Sequence, residues 1–142
     1  MNILDQIIAD KRKEVELKKS IIPYAQLEKT FIFERKTNSL TEKLKNSKSG
    51  IIAEYKRRSP SKSVINQHHN VWDVAKGYEN SGVCGMSVLT DAKYFGGSLD
   101  DLILARANSD LPLLRKEFII DEYQILEAKA FGADLILLIA AV

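Results

Sequence analysis

The sequence predicts an α/β fold built on parallel strands, and three observations lead to this class. Short apolar segments of strand length alternate with helical segments over residues 49–142. The connections from each helix to the next strand are short. The composition, with 45% hydrophobic and 28% charged residues, is ordinary for a folded globular protein. Alternating strands and helices with short connections require parallel strands joined by right-handed crossovers.

Residues 1–48 are predicted to form a helical N-terminal extension, because they contain no convincing strand pattern. Side chains recur at helical spacing over residues 3–19, at Leu4, Ile7, Ile8, Lys11 and Val15, and Pro23 limits this helix. A second, short helix is possible around Tyr24–Lys29. The segment Ser39–Glu42 has the capping-box pattern that opens a third helix.

Residues 49–142 carry three strand–helix units and one further strand. The strands are predicted at Ile51–Lys56, Met86–Thr90, Leu113–Lys116 and Leu135–Ala140. Three helices lie between them, and their N-caps are predicted at Asn70, Ser98 and Asp121. These helices are expected to end near Gly82, Asn108 and Gly132.

This pattern fits either a doubly wound sheet or a (β/α)8 barrel, and periodicity alone does not choose between them. No GxGxxG loop of the dinucleotide-binding folds follows the first strand, which weakens the doubly wound alternative. The apolar segment LILLIAAV has no helix after it, although parallel strands are normally buried on both faces. A (β/α)8 barrel takes roughly 250 residues. We therefore expect residues 49–142 to form the first half of a barrel rather than a complete small α/β domain.

Charge and cysteine content argue against several classes of function. The net charge of +2 is too small to predict binding to nucleic acid or to a membrane surface. The single cysteine, Cys84, leaves no disulfide framework, so a reducing cytoplasm is the expected compartment. No apolar segment reaches transmembrane length, and Asp5 and Asp10 interrupt any signal-peptide pattern.

Charged side chains stand at the ends of two predicted strands. Alternate residues of a strand share a face, so Glu54 and Lys56 point to the same side of the sheet. Lys116 ends the third strand, and active sites of α/β barrels lie at the C-terminal strand ends. Two neighbouring ammonium groups make each other easier to deprotonate, so one lysine could donate a proton while the other holds an anionic substrate. An ion-pair network without catalytic function is the alternative interpretation.

Three other features near the strand ends each have two interpretations. The segment RRSPSKS resembles a localisation or nucleic-acid-binding signal, but its position directly after a strand favours an active-site loop. His68 and His69 suggest a metal site, yet no acidic residue or cysteine stands at ligand spacing, so we expect no metal. The rings of Tyr94, Phe95 and Phe118 could line an apolar slot or simply pack on the helices.

Three segments carry a resemblance to a known family: IIAEYKRRSPSKS, VLTDAKYFGGSLDDL and LPLLRKEFIIDEYQILEAKAFGADLILLIAA. They cover most of residues 51–141, and the combination of an ExKxxSPSK loop with LRKxFI is highly specific. On these residues the sequence resembles the indole-3-glycerol-phosphate synthases of tryptophan biosynthesis. The resemblance implies a (β/α)8-barrel lyase without a cofactor. Its small-molecule substrate would be 1-(2-carboxyphenylamino)-1-deoxyribulose 5-phosphate, closed to indole-3-glycerol phosphate with loss of carbon dioxide and water.

The resemblance also implies roles for particular residues. Lys116 is similar to the general acid that promotes ring closure. Lys56 is similar to the lysine that binds the substrate carboxylate and assists dehydration, and Glu54 to the carboxylate that orients both lysines. The implied substrate-binding residues are Ser59, Pro60 and Ser61 in the first loop, and Phe95, Phe118 and Leu137 around the anthranilate ring.

Two departures from the family limit what the chain is expected to do. Ser63 stands where the family usually has glycine. The family's second catalytic glutamate and its phosphate-binding loops would lie beyond residue 142, so we expect the isolated chain to be inactive. It would then need a C-terminal half or a second copy as partner. The alternatives are a stand-alone half-barrel that self-associates or binds a partner, and another phosphosugar-handling barrel enzyme such as phosphoribosylanthranilate isomerase. The isomerase is disfavoured because no cysteine ends a strand.

Overall fold

Four parallel strands form one sheet, in which they follow one another in the order of the chain. The computed structural model describes residues 1–142. The strands are β1 (Ile52–Tyr55), β2 (Gly85–Leu89), β3 (Leu113–Lys116) and β4 (Leu135–Ile136). The helices between them are α4 (Val71–Asn80), α5 (Ala92–Phe95), α6 (Leu99–Asn108) and α7 (Glu122–Ala130). The predicted alternation of strands and helices and the parallel pairing are therefore confirmed.

Helices alone occupy the chain before the sheet. They are α1 (Ile3–Ile21), α2 (Tyr24–Glu28), a 3-10 helix (Phe31–Glu34) and α3 (Leu40–Lys45). Asn2 begins α1 by accepting a hydrogen bond from the Asp5 amide at 2.9 Å. Ser39 begins α3 in the same way, with the Glu42 amide at 3.2 Å. α1 and α2 pack against α7, and none of the helices is long and apolar enough to cross a membrane.

The hydrophobic core lies between the sheet and the helices α4, α6 and α7. One face of the sheet supplies side chains that are fully or nearly fully buried, namely Tyr55, Met86, Val88 and Leu113. Val71 and Ala75 of α4 and Leu102 and Ala105 of α6 pack against them. Burying one such large aliphatic side chain contributes about 1.5–3 kcal/mol, so this layer stabilises the sheet. The opposite face carries Glu54, Ser87, Leu114 and Lys116, because alternate residues point to opposite sides.

Three details differ from the sequence-based prediction. β4 pairs only through Leu135 and Ile136, rather than over 135–140, because β3 continues just one residue past the partner of Ile136. Asn70 precedes α4 as predicted, but its side chain makes no capping hydrogen bond. The loop after β2 contains the short helix α5, which was not predicted because it lies inside a glycine-containing loop.

Candidate active site

Strands β1 and β3 flank β2 and bring three charged side chains together at their C-terminal ends. Lys116 Nζ lies 2.7 Å from Glu54 Oε1, and Lys56 Nζ lies 3.1 Å from Glu54 Oε2. Ser87 stands in register with Glu54 and donates its hydroxyl to Oε1 at 3.3 Å. The structure thus places Glu54, Lys56 and Lys116 on one side of the sheet, where alternation predicted them. Their catalytic roles stay predictions.

The electrostatics of this cluster keep Glu54 ionised. Burial by itself would raise the pKa of Glu54, but hydrogen bonds from Lys116 and Lys56 outweigh burial and lower the pKa below its ordinary value. The side chains of Lys56 and Lys116 are 26% and 38% exposed, so both ammonium groups can be reached from solvent. The cluster is therefore one carboxylate shared by two accessible cations.

An aromatic pair lies beside the cluster. The ring centroids of Phe95 and Phe118 are 6.1 Å apart, and Lys56 Nζ lies 5.9 Å from the Phe95 centroid. Phe95 ends α5, which Gly96 terminates with a left-handed φ of 64°. A Cβ on Gly97 would lie 2.0 Å from the Leu89 carbonyl oxygen, so only glycine lets the loop pass the end of β2 this closely. The structure thus brings these two rings together, and their role in binding a substrate ring stays a prediction.

The loop after β1 forms a tight turn. The Ser59 amide donates to the Lys62 carbonyl at 2.8 Å, and the Lys62 amide donates back at 3.1 Å. Ser59 is half-buried, whereas Pro60 and Ser61 between the paired residues are exposed. The Ser59 and Ser61 hydroxyls are 3.2 Å apart. Ser59 Oγ also accepts the Lys62 amide at 3.2 Å, so the turn is held by its own hydrogen bonds, and the substrate-binding role of these residues stays a prediction.

Both arginines of this loop are bound to the next strand–helix unit. Arg57 forms a two-pronged ion pair with Asp101 and donates to the Gly96 carbonyl at 3.0 Å. Arg58 donates to the Ala92 carbonyl at 2.8 Å. These contacts connect the first loop to α5 and α6, and the Arg57 charge is paired with Asp101.

The remaining candidates are Leu137, Cys84 and the pair His68 and His69. Leu137 follows β4 directly and is half-buried. Cys84 is 3% exposed, as expected for a small buried residue. His68 and His69 are exposed, and no group of three or more His, Cys, Asp or Glu side chains is placed to hold a metal ion.

Sequence reasoning missed two sets of partners. Ser87 was not singled out, although it falls on the same face as Glu54 in the neighbouring strand. Lys11 was placed at helical spacing with the apolar residues of α1, but its burial and its partners Asp91 and Glu117 were not predicted. A lysine within an apolar helical stripe was the available signal, because a buried ammonium group requires acceptors.

Comparison with known proteins gives a single family. The family model described as indole-3-glycerol phosphate synthase matches residues 4–142. A protein of that name from Bacteroides thetaiotaomicron is 49% identical over 140 residues. Proteins with the same name from Burkholderia multivorans and Dechloromonas aromatica are 46% and 43% identical over 143 and 144 residues.

Each alignment covers almost all of this chain but only part of the relative. Each includes 99% of this chain, but only 54% of the Bacteroides thetaiotaomicron protein and 55% of the other two. The chain therefore spans about half the length of the curated relatives that it matches.

Proposed function

We propose that this chain, which belongs to the indole-3-glycerol phosphate synthase family, carries the proton-donating side of a synthase active site on half of a (β/α)8 barrel. The reaction would close the ring of the carboxyphenylamino-deoxyribulose phosphate and release carbon dioxide and water. The complete enzyme would thereby act as a carboxy-lyase in tryptophan biosynthesis. The shared carboxylate of Glu54 between Lys56 and Lys116 is the observation that carries this proposal.

Lys116 suits the first proton transfer. Ring closure joins a carbon of the anthranilate ring to the ribulose carbonyl carbon, and the carbonyl oxygen gains negative charge as this bond forms. A proton from Lys116 Nζ would turn that oxygen into a hydroxyl group. Glu54, at 2.7 Å, would hold the ammonium group in place before the transfer.

Lys56 suits the aromatic half of the substrate. Its ammonium group lies between Glu54 and the Phe95 ring, beside the Phe95–Phe118 pair. A benzene ring that enters this slot would bring its carboxylate to Lys56 Nζ, where a point charge binds it. The same cation could protonate the hydroxyl group that later leaves as water.

The remaining parts of the proposal concern ligands, partners and location. The substrate is a small phosphorylated molecule, and no cofactor, nucleic acid or membrane takes part. The cytoplasm is the proposed compartment, since the lone cysteine fits a reducing environment. A self-associating or binding half-barrel is the second candidate, because β1 and β4 are sheet edges without a second neighbour.

Synthase activity with and without a completing segment separates these two functions. Formation of indole-3-glycerol phosphate is measured for the chain alone, and for the chain fused to the C-terminal remainder of the Bacteroides thetaiotaomicron relative. We expect turnover in the fusion and none in the chain alone. A folded fusion without turnover would contradict the synthase proposal and favour the second candidate, a self-associating or binding half-barrel.

Variants of two lysines provide the matched control in the fusion. Lys56→Ala removes the proposed carboxylate-binding charge, so KM should rise and kcat should fall. Lys76→Ala removes an α4 lysine whose side chain is 53% exposed, and should change neither constant. Equal effects of both substitutions would contradict the role of Lys56.

A further inference from the structure

We propose that Lys11 of α1 is a positioning residue that holds together the two loops carrying Phe95 and Phe118. This inference rests on the proposed function, because it assigns those loops to the synthase site. Its observation is separate: one buried ammonium group contacts carboxylates that follow two different strands.

Lys11 lies at the centre of a buried ionic cluster. Its side chain is 4% exposed, and its Nζ lies 2.7 Å from Asp91 Oδ1 and 3.3 Å from Glu117 Oε1. Glu14, one turn further along α1, is its third acceptor. Asp91 and Glu117 have side chains that are 4% and 2% exposed, so these contacts are shielded from solvent. Lys11 is therefore a fixed bridge between α1, the end of β2 and the end of β3.

Each carboxylate that Lys11 contacts also fixes the backbone of a loop. Asp91 Oδ2 accepts the Tyr94 amide at 2.7 Å and so caps α5, which ends at Phe95. Glu117 follows Lys116 directly, and its Oε1 accepts the Phe118 amide at 2.9 Å. The two carboxylates thus connect Lys11 to both rings of the aromatic pair through one residue each.

The carboxylates of the cluster keep Lys11 protonated. Burial raises the pKa of Glu117 above its ordinary value. Burial alone would lower the pKa of Lys11, but the three carboxylates around its ammonium group raise it instead. Glu117 Oε2 also accepts the Thr90 hydroxyl at 3.0 Å, so Glu117 acts only as an acceptor. Without the Lys11 charge, buried Asp91 would lose its ion-pair partner, and Glu117 would keep only Arg115, whose guanidinium nitrogen lies 3.8 Å from Oε2.

A second contact of α1 acts on the same loop. Asp10, the residue before Lys11, pairs with Lys93 at 2.6 Å and accepts the Tyr94 hydroxyl. One turn of α1 therefore contacts α5 through Asp10 and the N-cap of α5 through Lys11.

Amide hydrogen exchange of the 142-residue chain tests the proposal without any turnover. Lys11→Met keeps the length of the side chain and removes its charge, so the Tyr94 and Phe118 amides should exchange on the order of tenfold faster or more. Lys11→Arg keeps the charge and should restore most of the protection. Lys13→Met changes an exposed lysine of the same helix and should have no effect.

A further variant separates positioning from general loosening of α1. Val15→Ala removes buried packing from the same face of α1 and leaves the charges in place. It should affect α1 amides more than those of Tyr94 and Phe118. Should Lys11→Met fail to fold, Lys11→Gln is measured against the same controls. Unchanged exchange at Tyr94 and Phe118 in a folded, uncharged Lys11 variant would overturn the proposal.

Kinetics of the fused, active protein supply the second readout. Lys11→Met should lower kcat/KM about 10- to 100-fold and change the pH profile of kcat, because the Lys116 and Phe118 segment moves. Lys11→Arg should recover most of that loss. A lower active fraction with unchanged KM and pH profile would mean a structural role only and would overturn the proposal. An inactive fusion would count against the proposed function, while the exchange result would still decide the role of Lys11.

Discussion

Glu54 is the residue on which the candidate site depends, because it is the acceptor that two lysines share. A carboxylate with one lysine would form an ordinary ion pair. With Lys116 and Lys56 on separate oxygens and Ser87 as an additional donor, it fixes the distance between two cations. Placement of Glu54 and Lys56 on one face followed from the alternation of the strand, and Lys116 followed from its strand end.

Lys116→Ala in the fused protein should reduce kcat much more than it changes KM. Proton donation takes place in the transition state, and a single general acid is worth about 10²- to 10⁴-fold in rate. Steady-state kinetics at saturating substrate measure this effect. A variant with near-normal turnover would remove Lys116 from the role of general acid.

Glu54 should also make the stability of the chain depend on pH in the acid range. Its folded pKa lies below the ordinary value of 4.5, so the ionised carboxylate stabilises the fold above that pH. This contribution is lost as the pH falls through the folded pKa. The difference in unfolding free energy between the parent and Glu54→Gln should therefore shrink from pH 7 towards pH 3.

Urea unfolding at several pH values measures that difference. Glu16→Gln is the control, because the Glu16 side chain is 72% exposed and should show little change with pH. A parent–variant difference that stays constant from neutral to acid pH would show that the pKa of Glu54 does not change on folding.

At the scale of elements, a single carboxylate joins four segments at the N-terminal side of the sheet. Asp134, between α7 and β4, has a fully buried side chain that pairs with Arg35 and Arg106, each at 2.7 Å. It also accepts the Asn38 amide at 2.7 Å and the Leu113 amide at 2.8 Å. The segment before α3 is thereby attached to the sheet by polar contacts as well as by packing.

Asp134→Ala should destabilise the chain by about 3–5 kcal/mol, since it leaves two arginines and two amides without their buried acceptor. Asp100→Ala in the first turn of α6 is the control, and its exposed carboxylate should contribute about 0.3–1 kcal/mol. Denaturant unfolding measures both. Similar small losses for the two variants would show that water replaces Asp134 as acceptor.

Helix caps show what local sequence could and could not predict. Ser98 and Asp121 cap α6 and α7 as expected, and Gln124 completes a capping box with Asp121. Asn70 does not cap α4, although the residue type is as suitable as the other two. Residue type sets the capacity to cap, while the path of the preceding loop decides whether the side chain reaches the amides.

At the scale of the whole molecule, parallel order and the position of the site were predictable, because strand–helix alternation leaves few topologies. The buried ionic network behind the site was not. Arg115 is 2% exposed and pairs with Glu127 at 2.9 Å, while Lys11 joins it through Glu117. These partners lie on elements far apart in the sequence, so only the packed structure identifies them.

The two edges of the sheet determine the last prediction, which concerns self-association of the 142-residue chain. β1 and β4 each have one neighbour, and unpaired strand edges beside apolar side chains favour association. Ile52 on β1 is 45% exposed, and Ile51 and Leu138, which lie just outside β1 and β4, are 52% and 71% exposed. We expect a sedimentation coefficient that increases with protein concentration. Leu138→Lys should reduce this increase, because a charge beside the β4 edge opposes pairing. Phe31→Lys is the control and should not reduce it. Phe31 is 97% exposed but lies on the 3-10 helix, away from the sheet edges. A monomer at all concentrations would show that the edges are protected in solution. The chain would then need neither a second copy nor a completing segment to cover them.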